Sequence, residues 1–407
     1  MRVLFIHQNF PGQFQLLAPA LAASETVVAI GAGDRDPNHI AHLQYCPYPK
    51  STSGVRRSDE PTDLTSEVRR GRACLRCLED LKARGFRPDV VIAHPAWGEA
   101  LFLRDVYPRA RLISYLEYFY RSTNSDVDFD PEFPSPSYGL QYVRFRNIPS
   151  LMAFAEADCS VTPTMWQGLT FPDAIRRQLT TLHDGIDTDR VVPDPGATFA
   201  LPDGRPLTAA DEVISYVARS LEPYRGFHVF MRALPDVMRR RPNATVVIVG
   251  GDDVSYGTSA GPHTTWRQRM LDEVGQDLDP ARISFVGRLP YDRYLSLLQV
   301  SSVHVYLTYP FVLSWSLLEA MSAGCAVVAS DTGPVTEVVT DGENGRLFPF
   351  FDCAQLAARV EELADDLGQR RRLGRAARDT IVTRYDFRSR ILPRYRSILH
   401  ELAGRDP

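Results

Sequence analysis

Apolar positions fall in short β-branched runs that alternate with stretches of helical period along the chain. In the first half the runs predict strands at residues 3–6, 26–30, 89–93, 111–116, 159–162 and 179–182. In the second half they predict strands at 213–218, 244–250, 282–286, 303–307, 326–330 and 346–348. Such alternation is the signature of βα units on a parallel sheet. Between the two series, residues 191–210 hold four prolines, two glycines and little periodicity, and read as a linker. The pattern therefore predicts an α/β chain of two Rossmann-like domains, 1–195 and 210–385. A helical segment, 386–407, is placed to cross back onto the first domain. The segment 120–142, rich in Asp, Pro and aromatic residues, is a long excursion from this pattern. Paired sheets of this kind turn their carboxyl ends toward a central cleft, which predicts a cleft enzyme without specifying its reaction.

Composition narrows the function classes. With 407 residues the chain can build two or three sizeable cores. A formal net charge of −4 leaves no net positive field for a phosphate backbone, which argues against general nucleic-acid binding. Six cysteines are too sparse for a disulfide framework and point to a reducing, cytoplasmic setting. Cys74 and Cys77 form a CxxC, but inside an arginine-rich amphipathic stretch, with no second pair and no strand-to-helix turn, so redox and zinc roles are discounted. The apolar run 3–6 is too short for a signal-peptide core and reads as a buried strand. Residues 294–318 carry no Asp, Glu, Lys or Arg, yet Gln299, His304, Pro310 and several serines make them soluble core rather than a membrane span.

Candidate chemistry clusters at strand exits. YPFVLSWSLLEAMSAG, 309–324, runs from a strand end into a helix whose start can hold an anion through unpaired N–H groups near Leu313 and Ser314. Glu319 in that helix is either an acceptor for ribose hydroxyls or a residue that merely favours a helix start. In ARSLEPYRG, Arg219 and Arg225 flank a Pro-bearing turn after a strand, a geometry suited to gripping a diphosphate; surface loop arginines are the plainer alternative. Gly250, Gly251 and Gly287, in VVIVGGDD and FVGRLP, permit close backbone approach to a ligand or simply a tight turn. QNFPGQF, 8–14, places Gly12 in a loop after the first strand without the GxGxxG spacing of a dinucleotide site. His94, in IAHPAWGEA, and Glu117, in ISYLEYFY, end predicted strands, and both are candidates for proton transfer or hydrogen bonding. A satisfied structural histidine is the alternative for His94. No HExxH, nucleophile elbow or clustered metal-ligand set is visible, so no metal is expected.

Together these segments resemble the retaining glycosyltransferases of family 4, which have the two-domain GT-B architecture. ARSLEPYRG resembles that family's Arg-x5-Lys-Gly segment, FVGRLP its base-binding turn, and residues 314–348 its donor-site signature. SVTPTMW, LHDGIDT and QNFPGQF resemble strand exits and the glycine loop of its first domain. The resemblance implies diphosphate binding by Arg219 and Arg225, ribose binding by Glu319, phosphate contact by the backbone of Leu313 and Ser314, and base contact near Gly287, Arg288 and Leu289. Gly12 would approach the donor from the other domain. Arg225 stands where the family has lysine, keeping charge but not geometry. Phe311, eight residues before Glu319, stands where the family has the first glutamate of Glu-x7-Glu, which implies a less hydroxylated or unusually substituted sugar. Glu117 ends the strand where many members have a histidine.

The expected reaction is a metal-independent, retaining transfer from a nucleoside diphosphate sugar to an acceptor hydroxyl, thiol or amine, with domain closure and no cofactor beyond the donor itself. Partners would be the nucleotide sugar and a small-molecule or glycan acceptor. Basic helical surfaces such as 67–87 also permit peripheral membrane contact. A pyridoxal-dependent phosphorylase shares the architecture but needs a lysine, and none follows Lys82. A sugar-nucleotide epimerase or hydrolase, or a non-catalytic nucleotide-sugar binder, are the remaining alternatives.

Overall fold

The computed structural model describes residues 1–33, 40–49, 63–134 and 143–404. The chain divides into two compact units, Met1–Gly185 together with Phe387–Pro407, and Ile186–Asp386. The first is built on a parallel sheet of β1 (Arg2–Ile6), β2 (Thr26–Ala32), β3 (Leu43–Tyr48), β4 (Val90–Ala93), β5 (Arg111–Tyr115), β6 (Cys159–Thr162) and β7 (Leu179–Thr181). Their order is β3-β2-β1-β4-β5-β6-β7. Residues 3–6 of β1 and all of β4 are fully buried, as sheet centres covered on both faces require.

The second unit opens with a small antiparallel hairpin, β8 (Thr198–Ala200) and β9 (Pro206–Thr208). Its parallel sheet comprises β10 (Val213–Ser220), β11 (Thr245–Gly251), β12 (Ile283–Gly287), β13 (Val303–Tyr306), β14 (Val327–Ser330) and β15 (Arg346–Phe348), in the order β12-β11-β10-β13-β14-β15. Counted from its own first strand, each sheet runs 3-2-1-4-5-6, the doubly wound order, with a seventh strand at the edge of the first, and each reverses between strands one and four. The fold class is therefore two Rossmann-like α/β domains.

Two features depart from the sequence pattern. Strand β3 was not expected; it lies at the sheet edge, contains Pro47 and is only partly buried, so it shows no continuous apolar run. The proline-rich segment 191–210 is not a bare linker, because Phe199 and Leu207 of its hairpin are buried in one cluster with Val213, Val247 and Leu297. Of the excursion 120–142, residues 135–142 lie outside the described residues.

The C-terminal helix Leu392–Leu402 packs within the first unit, where Tyr395 and Leu399 share a core with Val3, Phe5 and Val27. The helix Asp63–Ala83 buries Cys74, Leu78 and Leu81 against Leu4, Val28 and Val91. Burial pushes the Cys74 thiol well up and that of Cys77 up to about 11, so this CxxC holds neutral thiols. Residues 294–318 divide between a helix, β13 and a second helix. Among the described residues no helix is long and apolar enough to cross a membrane.

Candidate functional site

In the first unit, the reversal between β1 and β4 brings together polar side chains from the carboxyl ends of three strands. His7 directly follows β1, His94 directly follows β4, and Glu117 stands just beyond β5. Gln13 joins them from the 3-10 turn Gly12–Phe14, which is held by buried Phe14 packing on Phe5 at 5.1 Å. Gln13 Nε2 donates to Glu117 Oε1 at 2.6 Å, and the His94 Nε2 to Glu117 Oε2 separation is 3.3 Å. Gln167 Nε2 donates to the backbone carbonyl of Glu117 at 2.8 Å, fixing the chain as well as the side chain. His94 is fully buried, stacked on Trp97 at 4.4 Å, with His7 5.0 Å away. Its Nδ1 has no hydrogen-bond partner among the described residues. The Glu117 side chain, by contrast, is 23% exposed and reaches the surface.

The turn after β4 is braced from behind. Tyr48 donates to Glu99 Oε1 at 2.7 Å, and Arg70 Nε donates to the carbonyl of Trp97 at 2.7 Å. Burial pushes the Glu99 carboxyl above its ordinary value despite these neighbours. Gly12 has φ +47°, and a Cβ there would lie 2.3 Å from His7 Cε1. In this structure its glycine is thus explained by contact with an imidazole, independently of any ligand.

In the second unit, the corresponding reversal lies between β10 and β13, and it gathers a cation. Arg219 is exposed near the end of β10. Arg225, in the 3-10 turn Pro223–Arg225, is buried, and its Nη1 donates to Thr308 Oγ1 at 2.7 Å, to the Val312 carbonyl at 3.1 Å and to Tyr306 Oη at 3.2 Å. Burial opposes its charge, but Tyr306, Tyr256 and Glu222 outweigh it, and the guanidinium pKa is raised. Tyr306 Oη also accepts from the Ser314 amide at 3.1 Å, which links the cation to the start of the helix Trp315–Ser322. Ser314 caps that helix, its hydroxyl accepting from the Ser316 amide at 3.3 Å.

Glu222 is fully buried and accepts backbone N–H groups of Ser255, Tyr256 and Gly257 at 3.2, 3.1 and 3.0 Å. It anchors the loop after β11 so that Tyr256 lies over Arg225, 5.3 Å from guanidinium carbon to ring centre. Phe311 is buried in this aromatic group, 5.1 Å from Tyr256 and 5.7 Å from Tyr224, edge to face. Leu313 is buried in the core beneath the helix. Glu319 is buried too, and accepts from Tyr291 and Tyr294 at 2.7 and 2.8 Å. Burial pushes its carboxyl up even though both hydroxyls favour the charged form. Gly287 adopts φ +64° in open space at the exit of β12, followed by exposed Arg288, which pairs with Asp253 and donates from Nε to the Arg219 carbonyl at 3.3 Å. Leu289 is partly buried against the same cores.

His7, Gln13, Glu222, Tyr256 and Tyr306 join the site without standing out in the amino-acid order. Glu222 lies within ARSLEPYRG, and a carboxylate between Arg219 and Arg225 is the signal that marks it. Tyr306 is the last residue of β13 and reads as one more apolar strand position.

Comparison with known proteins gives a consistent picture. Residues 23–191 match the family model described as Glycosyl transferase family 4 group, and residues 204–380 the one described as Glycosyl transferases group 1. A glycogen synthase of Mycobacterium tuberculosis is 29% identical over 212 residues, 52% of this chain and 46% of that protein. The chain spans about half the length of the curated relatives it matches. Among solved structures, a sucrose-phosphate synthase from Thermosynechococcus elongatus aligns with TM-score 0.73 and 17% identity over 99% of each chain. Anabaena HepE in complex with UDP-glucose aligns with TM-score 0.70 and 16% identity over 98% of this chain and all of that one. At these identities the solved structures speak to the fold, which is GT-B.

Proposed function

Because this chain belongs to the glycosyltransferases of family 4, we propose that it moves a glycosyl group from a nucleoside diphosphate sugar to an acceptor hydroxyl, thiol or amine, with retention and without a divalent cation. The observation that carries the reading is the link through Tyr306 Oη, which joins the buried Arg225 guanidinium to the amide that begins the helix Trp315–Ser322. A cation and a helix start together provide the preorganised positive end that a departing diphosphate needs. Exposed Arg219 supplies a second guanidinium at the same strand exit. The anomeric carbon–oxygen bond to the diphosphate breaks as a bond to the acceptor atom forms, and the acceptor proton passes to the leaving phosphate oxygen. With Phe311 where an acid would stand, no protein nucleophile is invoked, and attack on the departing face is the route we favour.

Glu117 and His94 orient the acceptor rather than ionise it. Gly287 and Leu289 offer backbone groups to the base, with exposed Arg288 between them, and Glu319 faces ribose hydroxyls through the carboxylate that Tyr291 and Tyr294 now hold. Phe311, set against Tyr224 and Tyr256, favours a sugar with an apolar or deoxygenated edge over one rich in hydroxyls. UDP-glucose, named for the Anabaena structure, is a reasonable first donor to assay. Six free cysteines fit a reducing compartment, and we place the reaction in the cytoplasm.

A thermal-shift screen with UDP, GDP, ADP and dTDP, with and without EDTA, tests the reading. One nucleotide should raise the unfolding temperature, equally with chelator present. At a hundredfold excess over Kd the stabilisation is about 2.7 kcal/mol. No shift with any nucleotide, or a shift that EDTA abolishes, contradicts the proposal.

A further inference from the structure

The orientation of the Gln13 hydrogen bond to Glu117 follows from one backbone amide. The Asn9 N–H donates to His7 Nδ1 at 2.9 Å, so that nitrogen holds a lone pair and the proton of a neutral imidazole sits on Nε2. His7 Nε2 lies 2.6 Å from Gln13 Oε1, which makes the carbonyl end of the amide the acceptor. The NH2 end of Gln13 then necessarily faces Glu117 Oε1, at 2.6 Å. The reverse amide orientation would set an N–H against an N–H and a carbonyl against a carboxylate. On the other side, His94 Nε2 stands 3.3 Å from Glu117 Oε2. Gln13 Nε2 donates to one oxygen, and with His94 Nε2 beside the other the carboxyl has little rotational freedom. Nothing in the turn can relax into an alternative ring position, because His7 is buried, its centroid 5.6 Å from Phe14 and 5.3 Å from Trp97, and Gly12 approaches too closely to bear a Cβ.

We propose that His7 and Gln13 are positioning residues: a one-way relay from the Asn9 amide that fixes the Glu117 side chain as the acceptor for a hydroxyl or ammonium group of the acceptor substrate. The proposal deepens the glycosyltransferase reading and rests on it for the identity of the ligand. The Glu117 side chain is 23% exposed, and a ligand would meet it there. An uncharged substrate hydroxyl gains a charge-assisted hydrogen bond there, and a wrongly turned Gln13 amide would present oxygen to oxygen instead.

Two measurements on the full chain decide it. Steady-state kinetics with a nucleoside diphosphate sugar compare Gln13→Met, His7→Leu and His7→Gln. Gln13→Met should lower kcat about 3- to 10-fold, no more than loss of the Glu117 carboxylate itself, with the donor KM held within about threefold. His7→Gln, whose amide can still donate to Gln13, should recover most of what His7→Leu loses. Independently, nitrogen-15 spectra of histidine should show one imidazole fixed as the Nε2–H tautomer, its Nε2–H resonance changed in Gln13→Met. An unchanged kcat in Gln13→Met, no difference between the two His7 variants, or an Nδ1–H tautomer at His7 overturns the relay. A wild-type chain that releases no nucleoside diphosphate from any sugar donor overturns the functional reading instead, and the tautomer measurement still decides the relay.

Discussion

The two units share a strand order yet place opposite charges at the same topological position. Where the first sheet reverses, between β1 and β4, Gln13 donates to Glu117 and His94 Nε2 stands beside its other oxygen. Where the second reverses, between β10 and β13, acceptors from Tyr306, Thr308 and the Val312 carbonyl converge on the guanidinium of Arg225. The scaffold supplies only the meeting point of strand ends; the loops decide what sign of charge waits there. Under the proposed transfer, a departing diphosphate would call for positive charge and an incoming hydroxyl for a hydrogen-bond acceptor.

The largest expected effect breaks the cationic side. Arg219→Ala should lower turnover about 100- to 1000-fold at saturating donor, the usual loss for one preorganised charge-stabilising group; an undiminished kcat would remove Arg219 from the reaction. On the anionic side the effect should be smaller, because orientation rather than charge neutralisation is at stake. Glu117→Gln should cost about tenfold, one charge-assisted hydrogen bond, whereas a loss of 1000-fold or more would indicate proton transfer by Glu117.

Stability measurements sharpen the comparison further. Gly226 has φ +67°, and a Cβ there would lie 2.4 Å from Leu307 Cβ, so Gly226→Ala should destabilise the second unit by about 2–4 kcal/mol in denaturant titration. Acid should weaken both units alike. Burial lowers His183, in the first, and His304, in the second, to about 4. A folded pKa below the unfolded value of about 6.5 means that the unfolded chain binds the proton first. The stability is then fully present above about pH 6.5 and declines as pH falls toward 4, by up to about 3 kcal/mol for each histidine. His304→Gln should flatten that decline in the second unit alone, as followed by urea midpoints between pH 7 and pH 4. The smallest effect belongs to Arg288→Ala, whose pair with Asp253 is half exposed and should be worth under about 1 kcal/mol.

What could be read in the amino-acid order divides along physical lines. The central strands were visible because residues such as Val3, Phe5, Val246 and Ile248 are apolar on both faces of a covered sheet. Strand β3 was not, since an edge strand interrupted by Pro47 carries no such run. Phe199 and Leu207 each sit alone among polar and proline neighbours, and only the folded hairpin shows that they reach a core. At the site, Arg219, Arg225, His94 and Glu117 stood out because charged or titratable groups lie at or just beyond strand ends, and Glu319 because it lies in a helix that follows one. Gln13 and His7 did not, because an amide relay has no spacing signature: its partner Glu117 is 104 residues away along the chain.

The placement of Tyr395 and Leu399 among Val3, Phe5 and Val27 has a consequence for biosynthesis. A ribosome delivers those two side chains only after the whole of Ile186–Asp386 has emerged. The nascent N-terminal unit therefore lacks part of its hydrophobic interior until the last residues of the chain arrive.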